Sequence, residues 1–454
     1  MLRSLTRCGL WFLLVAFCGL TCVASQLSAD DKVGGAMVPK ALFNYIARPE
    51  PKFEWKLKDK TEIYFGTIYD LELVSQEWQG IVWEHQLHVY VPRDSKPSET
   101  MLLWNTGGSG NERNIVFALD LARRVGSPIA FLYHVPKQPI LDDKTEDKLI
   151  AETFIRYLET GDEKWPLLFP MVKSVVKAMD ALQAFTVQEW KQETKAFVVS
   201  GASKRGWTTW LTGASDARVK GIAPLVIDTL NMRAQGPYQL KSFGAYSDQV
   251  HDYTERKLLP MPDTPEAQAL WAMVDPWVYR EKLLLPKMII NGANDPYWTT
   301  DALNLYWDDL KGDKWVLYVP NAGHGLEQNF PDGKKSRDRA LNGLAAYARH
   351  LMKENPMPKV TWKHDNAADD AARLTLSSDP APRSGRLWVA HAKSRDFRLV
   401  EWKEQPLPLT ENSLQGVVSS SKTEFVAFYG EADFEIDGLQ HSLSTQMRIL
   451  EPRP

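Results

Sequence analysis

Cysteine is almost absent from this sequence of 454 residues. The three cysteines, Cys8, Cys18 and Cys22, all lie within the first 25 residues. Once that segment is removed, the chain holds no thiol that could form a disulfide, act as a nucleophile or bind a metal. The sequence therefore excludes a disulfide scaffold and a cysteine-dependent enzyme for the mature protein.

An excess of charge of either sign is also missing, because 54 Lys and Arg stand against 57 Asp and Glu and the formal net charge is −3. We see no basic stripe, so no nucleic-acid partner is predicted. The nine histidines show no ligand-like spacing, so we predict neither a metal nor another cofactor. An apolar fraction of 44% is typical of a folded globular protein.

The first 25 residues have the features of a signal peptide. Arg3 and Arg7 precede the apolar run "GLWFLLVAFCGL", and the small residues of "VAS" at 23–25 suit cleavage. The run is too short for a stable membrane span. We expect an exported protein, periplasmic or secreted, with no stable membrane span after cleavage.

Short apolar strands alternate with helical patterns over residues 26–356, which predicts an α/β-hydrolase type of architecture with a mostly parallel sheet flanked by helices. A polar insertion occupies about 137–165. A segment at about 229–285, rich in Trp, Tyr, Pro and Met, predicts a helical cap. Short β-like segments from 357 to 454 predict a C-terminal β-sandwich-like domain.

The stretch "AFVVSGASKRGW" leads from a buried strand into a helix and places Ser203 at the corner. A nucleophile on such a turn needs small neighbours, and Gly201, Ala202 and Gly206 supply them. The pattern departs from G-x-S-x-G, because Arg205 stands where the second glycine is expected. Taken alone, a serine that begins a helix after a glycine turn is an equally good interpretation.

Two later strands end in loops that carry an acid and a base. Asp295 follows "MIING" and His324 follows "WVLYV", in the chain order Ser, Asp, His. Each of them alone could be structural. Their joint position at the carboxyl ends of strands, where open α/β sheets bind ligands, predicts a catalytic triad with Ser203. Asp228, at the end of "PLVID", is a weaker candidate for the acid.

An oxyanion hole needs the backbone N–H after the nucleophile and another from an early loop between a strand and a helix. The first is the amide of Lys204. The second comes from the loop in "LLWNTGGSGN", where the candidates are Thr106, Gly107 and Gly108. Ser109, in the same loop, does not both follow a strand and open a helix, so it is not a candidate nucleophile.

At these residues the chain resembles the PhoPQ-activated pathogenicity-related protein family. The segments "WNTGGSGN", "VVSGASKRGWTTWLTGASDARVKGIAPLVID", "MIINGANDPYW" and "VPNAGHG" carry the resemblance, which extends over roughly residues 38–450. It implies an exported α/β-hydrolase-fold protein, distantly similar to dipeptidyl-peptidase-like hydrolases, with a small C-terminal β-domain. It also implies that Ser203, Asp295 and His324 form the triad.

The function predicted from the sequence is an exported serine hydrolase that acts on an ester or peptide bond of a small-molecule ester, peptide or saccharide. An acidic-sugar ester would contact Lys204 and Arg205 together with the cap tryptophans Trp271 and Trp277. Pairing of the two cations with nearby carboxylates is at least as good an interpretation. A peptide α-ammonium would need acidic groups such as Glu152 or Glu255. The alternative is a secreted signalling or binding protein in which catalysis is dispensable.

Overall fold

The computed structural model describes residues 32–33, 36–93, 95–410 and 413–453. The predicted signal peptide, 1–25, lies outside these residues. A first unit ends at Met37 and contains an antiparallel pair of short strands, β1 (Lys32–Val33) and β2 (Ala36–Met37). The second unit, Val38–Pro454, is compact and contains every other element.

The strands of this second unit are β3 (Glu54–Ile63), β4 (Gly66–Trp78), β5 (Ile81–Pro92), β6 (Thr100–Asn105), β7 (Ile129–Leu132), β8 (Ala196–Ala202), β9 (Val219–Leu225), β10 (Lys287–Gly292), β11 (Lys314–Val319), β12 (Gln328–Asn329), β13 (Lys335–Ser336), β14 (Lys359–Ala368), β15 (Ala371–Asp379), β16 (Ser384–Ala392), β17 (Lys403–Pro406), β18 (Leu409–Thr410), β19 (Ser413–Ser419), β20 (Phe425–Ile436), β21 (Leu439–Ser444) and β22 (Arg448–Leu450). The helices are α1 (Ala41–Ala47), α2 (Glu112–Val125), α3 (Glu146–Thr160), α4 (Leu168–Trp190), α5 (Lys204–Gly213), α6 (Met232–Phe243), α7 (His251–Thr254), α8 (Pro265–Val274) and α9 (Asp338–Met352). No helix in the described part of the chain combines the length and the apolar character that crossing a bilayer requires.

The central sheet has the strand order β3-β4-β5-β7-β6-β8-β9-β10-β11, in which β3 is antiparallel to β4. The neighbours from β7 to β11 are parallel, whereas β5 is antiparallel to both β4 and β7. The exchange of β6 and β7 follows from right-handed crossovers that build the sheet outward in two directions. This order is the α/β-hydrolase fold, so the predicted fold class is confirmed.

Helices cover both faces of the central sheet, which is why its inner strands read as continuous apolar runs. On one face Leu102, Val198 and Ile290 pack in a single cluster with residues of α2 and α9. On the other face α5 lies close to the strands, because a Cβ on Gly213 would be only 2.8 Å from Ile222 Cγ2.

The two predicted insertions meet above the carboxyl edge of the sheet. The insertion at about 137–165 contains α3, and the cap at about 229–285 contains α6, α7 and α8. Helix α3 packs against both α7 and α8. The insertion is therefore part of the cap layer rather than a separate surface loop.

The C-terminal strands continue the central sheet, because β21 pairs antiparallel with β11 at Val316 and Ser444. Strands β20, β16 and β17 extend that sheet, and β14, β15, β19 and β18 form a second sheet. The second sheet packs on the extension, since a Cβ on Gly430 would lie 2.6 Å from Leu374 Cδ2. The sandwich-like arrangement thus shares one of its sheets with the hydrolase core. The autonomy of 357–454 as a domain stays a prediction.

We expect a fragment of residues 38–356 to aggregate, because without the C-terminal segment the edge of β11 and the covered face of α9 would be exposed. Size-exclusion chromatography and thermal unfolding followed by circular dichroism would test this, with residues 38–454 as the control. A monomeric fragment with one cooperative transition would contradict it.

Candidate active site

Ser203 occupies a strained turn between β8 and α5, with φ 58° and ψ −127°. A non-glycine residue in this region costs on the order of 1–3 kcal/mol, so the surroundings must hold it there. The Ser203 N–H donates to Leu225 O at 2.9 Å, and Ser203 O accepts the N–H of Trp207 at 2.9 Å. The serine is thereby fixed by the neighbouring strand and by the first turn of the helix.

Both glycines of the turn are needed for its close packing. A Cβ on Gly201 would lie 2.6 Å from Asn105 Nδ2, and a Cβ on Gly206 would lie 2.9 Å from Leu225 O. Ala202, between Gly201 and the serine, is half-buried. The local geometry is that of a nucleophile elbow, in which a serine is raised at the edge of the sheet.

The structure joins Asp295 and His324 by a hydrogen bond, with 2.8 Å between Asp295 Oδ2 and His324 Nδ1. The second oxygen of this buried carboxylate accepts the N–H of Tyr297 at 3.0 Å. The ring of Tyr297 stacks on the imidazole, with 4.2 Å between the ring centroids. The carboxylate and the stacked ring together fix the plane of the imidazole, and Nε2 is the ring nitrogen that the carboxylate does not contact.

The acid and base loops meet because Gly292 carries no side chain. A Cβ there would lie 2.4 Å from Ala322 O and 2.5 Å from Gly323 O, so any other residue would push the loops apart. The Asn294 N–H donates to Ala322 O at 3.0 Å across the same contact. Sequence reasoning missed Gly292 and Tyr297; the glycine that ends "MIING" was the one available signal.

No hydrogen bond joins Ser203 Oγ to His324 Nε2 among the described residues. His324 Nε2 is buried and has no partner there, and Ser203 Oγ makes no hydrogen bond either. Ser203 and Tyr297 line a cleft of about 730 Å³ on the cap side. His324 lines a second cleft of about 1220 Å³ together with Thr106 and Ala202. His324 therefore lines the second cleft, and the Tyr297 ring that stacks on it lines the first.

The predicted oxyanion loop needs a correction at Thr106. Its N–H donates to Leu132 O at 2.9 Å, so it is unavailable to a substrate. The Gly108 N–H lies 3.4 Å from Thr106 Oγ1. Within the described residues, the amides of Gly107 and Lys204 have no hydrogen-bond partner. These two amides are therefore the donors that an oxyanion could use.

The basic side chains after the serine are buried and paired. Arg205 forms a bidentate pair with Glu146 at 2.7 and 2.8 Å, and Lys204 Nζ lies 2.8 Å from Glu146 Oε2 and 3.0 Å from Asp147 Oδ2. Burial would raise the pKa of the Glu146 carboxyl, but Arg205 and Lys204 outweigh it and hold that pKa well below its usual range. The structure thus contains the alternative, carboxylate pairing, and contact of Arg205 with the substrate stays a prediction.

Arg205 also explains a glycine of the oxyanion loop. A Cβ on Gly107 would lie 1.8 Å from Arg205 Nη2, so the guanidinium occupies the space beside this residue. Its Nε–H donates to Val135 O at 2.5 Å. Arg205, in the first turn of α5, thus contacts the loop of Gly107, the backbone of Val135 beyond the end of β7 and Glu146 of the insertion.

The two tryptophans proposed as substrate contacts lie in different places. Trp271 lines the cap-side cleft together with Ser203. Trp277 does not line it; its indole N–H donates to Asp309 Oδ2 at 2.9 Å, and the Arg280 guanidinium lies 3.7 Å from its ring centroid. The structure does not place Trp277 among the residues that line the cleft, and its contact with the substrate stays a prediction.

The weaker candidate acid, Asp228, does not contact His324. It is buried and accepts a hydrogen bond from the Tyr306 hydroxyl at 2.5 Å. Burial raises the pKa of Asp228 to about 7, against the opposing effect of the Tyr306 hydrogen bond. Asp295 is therefore the acid that the structure pairs with the imidazole.

An α/β-hydrolase sheet with a nucleophile elbow and a His–Asp pair at its carboxyl edge defines the structural class of this protein. The model of the PhoPQ-activated pathogenicity-related protein family matches residues 42–398, and the chain belongs to that family, as the resemblance predicted. Autocrine proliferation repressor protein A of Dictyostelium discoideum is 30% identical over 384 residues, which is 79% of this chain and 76% of that protein.

Solved structures with a similar fold include two esterases of low identity. Acetyl xylan esterase 1 from Thermoanaerobacterium sp. JW/SL YS485 is 14% identical, with a TM-score of 0.49 over 70% of this chain and 95% of that one. A glucuronoyl esterase from Solibacter usitatus is 14% identical, with a TM-score of 0.38 over 72% of this chain and 98% of that one.

The Asp228 pKa leads to a prediction about stability. A folded-state pKa near 7 lies above the value of about 3.9 in an unfolded chain. The protonated carboxyl thus favours folding at low pH, and this contribution is lost as the pH rises from about 4 to about 7. We expect Asp228→Asn to raise Tm at pH 8 by about 2–4 °C and to change it little at pH 4.

Calorimetry of the wild type and Asp228→Asn at both pH values measures this difference. A variant less stable than the wild type at pH 8, but equal to it at pH 4, would contradict the assigned direction of the pKa shift.

Proposed function

We propose that this chain is an exported serine hydrolase that cleaves an ester or amide bond, with Ser203 as nucleophile, His324 as general base and Asp295 as the group that orients it. One observation supports the proposal most: the 2.8 Å hydrogen bond between His324 and Asp295 lies at the same edge of the sheet as the strained elbow of Ser203. A serine in such a turn without a paired base would carry strain with no chemical use.

In the proposed reaction, His324 Nε2 accepts the proton of the Ser203 hydroxyl while Oγ forms a bond to the carbonyl carbon. As the tetrahedral intermediate collapses, the bond to the leaving group breaks and His324 gives its proton to the leaving atom. Water then attacks the acyl-enzyme, its proton passes to His324, and Ser203 leaves with that proton as the acid is released.

The amides of Lys204 and Gly107 support the charge that develops on the carbonyl oxygen. Each fixed donor of this kind contributes on the order of 3 kcal/mol to transition-state stabilisation. Both amides are unpaired within the described residues, so neither has to break a bond inside the protein to reach the oxyanion.

The reaction requires Ser203 Oγ and His324 Nε2 to approach to hydrogen-bond distance. Neither atom has a competing partner in the described residues, so the approach breaks no other hydrogen bond. Catalytic hydrogen bonds in ligand-free enzymes are often longer than in their substrate complexes. Substrate in the cleft would supply the contacts that close this distance.

Labelling with a fluorophosphonate tests the nucleophile. We expect the wild-type protein to form a covalent adduct at Ser203 with loss of fluoride, and Ser203→Ala to form none. Ser215→Ala is the matched control, because Ser215 Oγ donates to Leu211 O at 2.8 Å within the structure of the following helix end. An unlabelled wild type, or an adduct that survives in Ser203→Ala, would refute the assignment.

A pair of identical substitutions tests the acid. We expect Asp295→Asn to lower kcat for p-nitrophenyl butyrate by about 10⁴-fold, because the imidazole loses its orientation and its counter-charge. Asp228→Asn, on the neighbouring strand end, should stay within about threefold of the wild type, since this group bonds to Tyr306 instead. The reverse ranking of the two variants would assign the acid to Asp228.

A second function, secreted signalling or binding on a hydrolase scaffold, is favoured by the name of the Dictyostelium relative, an autocrine proliferation repressor. Under this alternative the cap or the C-terminal sheets would carry the partner surface. The Ser203→Ala variant separates the two functions: a biological effect that survives in it belongs to binding, and an effect that disappears belongs to catalysis.

A further inference from the structure

The cap-side cleft beside Ser203 is built mainly from aromatic and aliphatic side chains. Its aliphatic wall includes Ile227, Met232 and Val250. Its aromatic wall is formed by Trp207, Tyr246, Tyr253, Trp271, Tyr297 and Trp298. Most of the surface that lines this cleft is apolar, which suits an apolar group of the substrate rather than a charged one.

The charged groups that line this cleft, Asp147 and Lys204, neutralise one another. Lys204 Nζ lies 3.0 Å from Asp147 Oδ2 and 2.8 Å from Glu146 Oε2. The other oxygen of Asp147 accepts the Tyr253 hydroxyl at 3.0 Å. Neither charge is left for a substrate.

Two residues considered for recognition of a charged substrate are paired inside the protein, and a third, Glu255, is not among the residues that line the cleft. Arg205, the cation considered for an acidic sugar, is held by Glu146 and Val135. Glu152, considered for a peptide ammonium, accepts from Arg156 at 3.0 Å and from Arg256 at 2.8 Å. A substrate charge placed in the cleft would lose its hydration without finding a partner.

The position of the base decides which part of the substrate enters this cleft. His324 must give its proton to the leaving group, so the leaving group lies on the side of His324 Nε2. His324 lines the second cleft and not the first, whereas Ser203 lines the first. The first cleft is thus left for the acyl group, which stays attached to Ser203 Oγ.

We propose that the acyl group of the substrate is apolar, uncharged and longer than acetyl, and that it occupies the cap-side cleft between α6 and the elbow. This inference rests on the proposed serine hydrolase function. It sets the substrate class apart from acetyl esters, from esters of acidic sugars and from peptides recognised by a free ammonium.

A series of p-nitrophenyl esters tests the proposal on the full chain. Each methylene that the cleft buries favours binding by about fourfold. We expect kcat/KM to rise at least about tenfold from acetate to octanoate, and phenylacetate to exceed acetate. The hemisuccinate, which carries a carboxylate, should fall at least about tenfold below butyrate. Highest activity on acetate, or equal activity on hemisuccinate and butyrate, would overturn the proposal.

A variant that fills the cleft tests its location. Met232 is buried and lines the cleft, so Met232→Trp should lower the octanoate-to-acetate ratio of kcat/KM at least about tenfold. Leu240→Trp is the matched control on the exposed side of the same helix and should keep that ratio. Val250→Trp, on another wall, replaces Met232→Trp if the latter does not fold. An unchanged ratio in a folded cleft-filling variant would overturn the location.

The failure of this proposal and that of the proposed function have different signatures. If the wild type forms the Ser203 adduct but prefers acetate, only the substrate class is wrong. If the wild type forms no adduct and hydrolyses none of the esters, the serine hydrolase function fails and the substrate class fails with it.

Discussion

Parallel pairing of β8, β9, β10 and β11 is the constraint on which the site depends. Ala202 pairs with Leu225, Leu225 with Ile290, and Gly292 with Val319, so these strands end at one edge of the sheet. The backbone hydrogen bonds of the sheet thus bring the elbow, the acid loop and the base loop to the same edge. Loops that are distant in the chain are thereby brought to one edge of the sheet.

Buried ion pairs then determine the charge of the cleft at this edge. Glu146, the first residue of α3, binds both Lys204 and Arg205, and so fastens the insertion to the start of the helix that follows the serine. Cations beside a nucleophile would otherwise attract anionic substrates. Because Lys204 and Arg205 are paired with carboxylates inside the protein, the cleft above Ser203 has mostly apolar walls and no net charge.

Residues 397–402 of the C-terminal segment bind two asparagines, Asn294 and Asn321, that lie at the same edge of the sheet. Asn294, next to Asp295, donates to Phe397 O at 3.0 Å and to Val400 O at 2.8 Å. Asn321, in the base loop, donates to Trp402 O and accepts the Trp402 N–H at 2.8 Å. These bonds hold the loops of Asp295 and His324 from outside, which gives the strand-rich segment a structural role in the site.

The sequence by itself determined the strands and helices, the turn at Ser203 and the loops of Asp295 and His324, because periodicity, glycine and chain order are local properties. Tertiary structure alone decided the rest. Arg205 forms an ion pair with Glu146, and the Thr106 N–H donates to Leu132 O. The Trp277 indole N–H donates to Asp309, and β21 pairs with β11. Each of these outcomes depends on a partner far along the chain, and no local pattern encodes which group a buried donor or a sheet edge will meet.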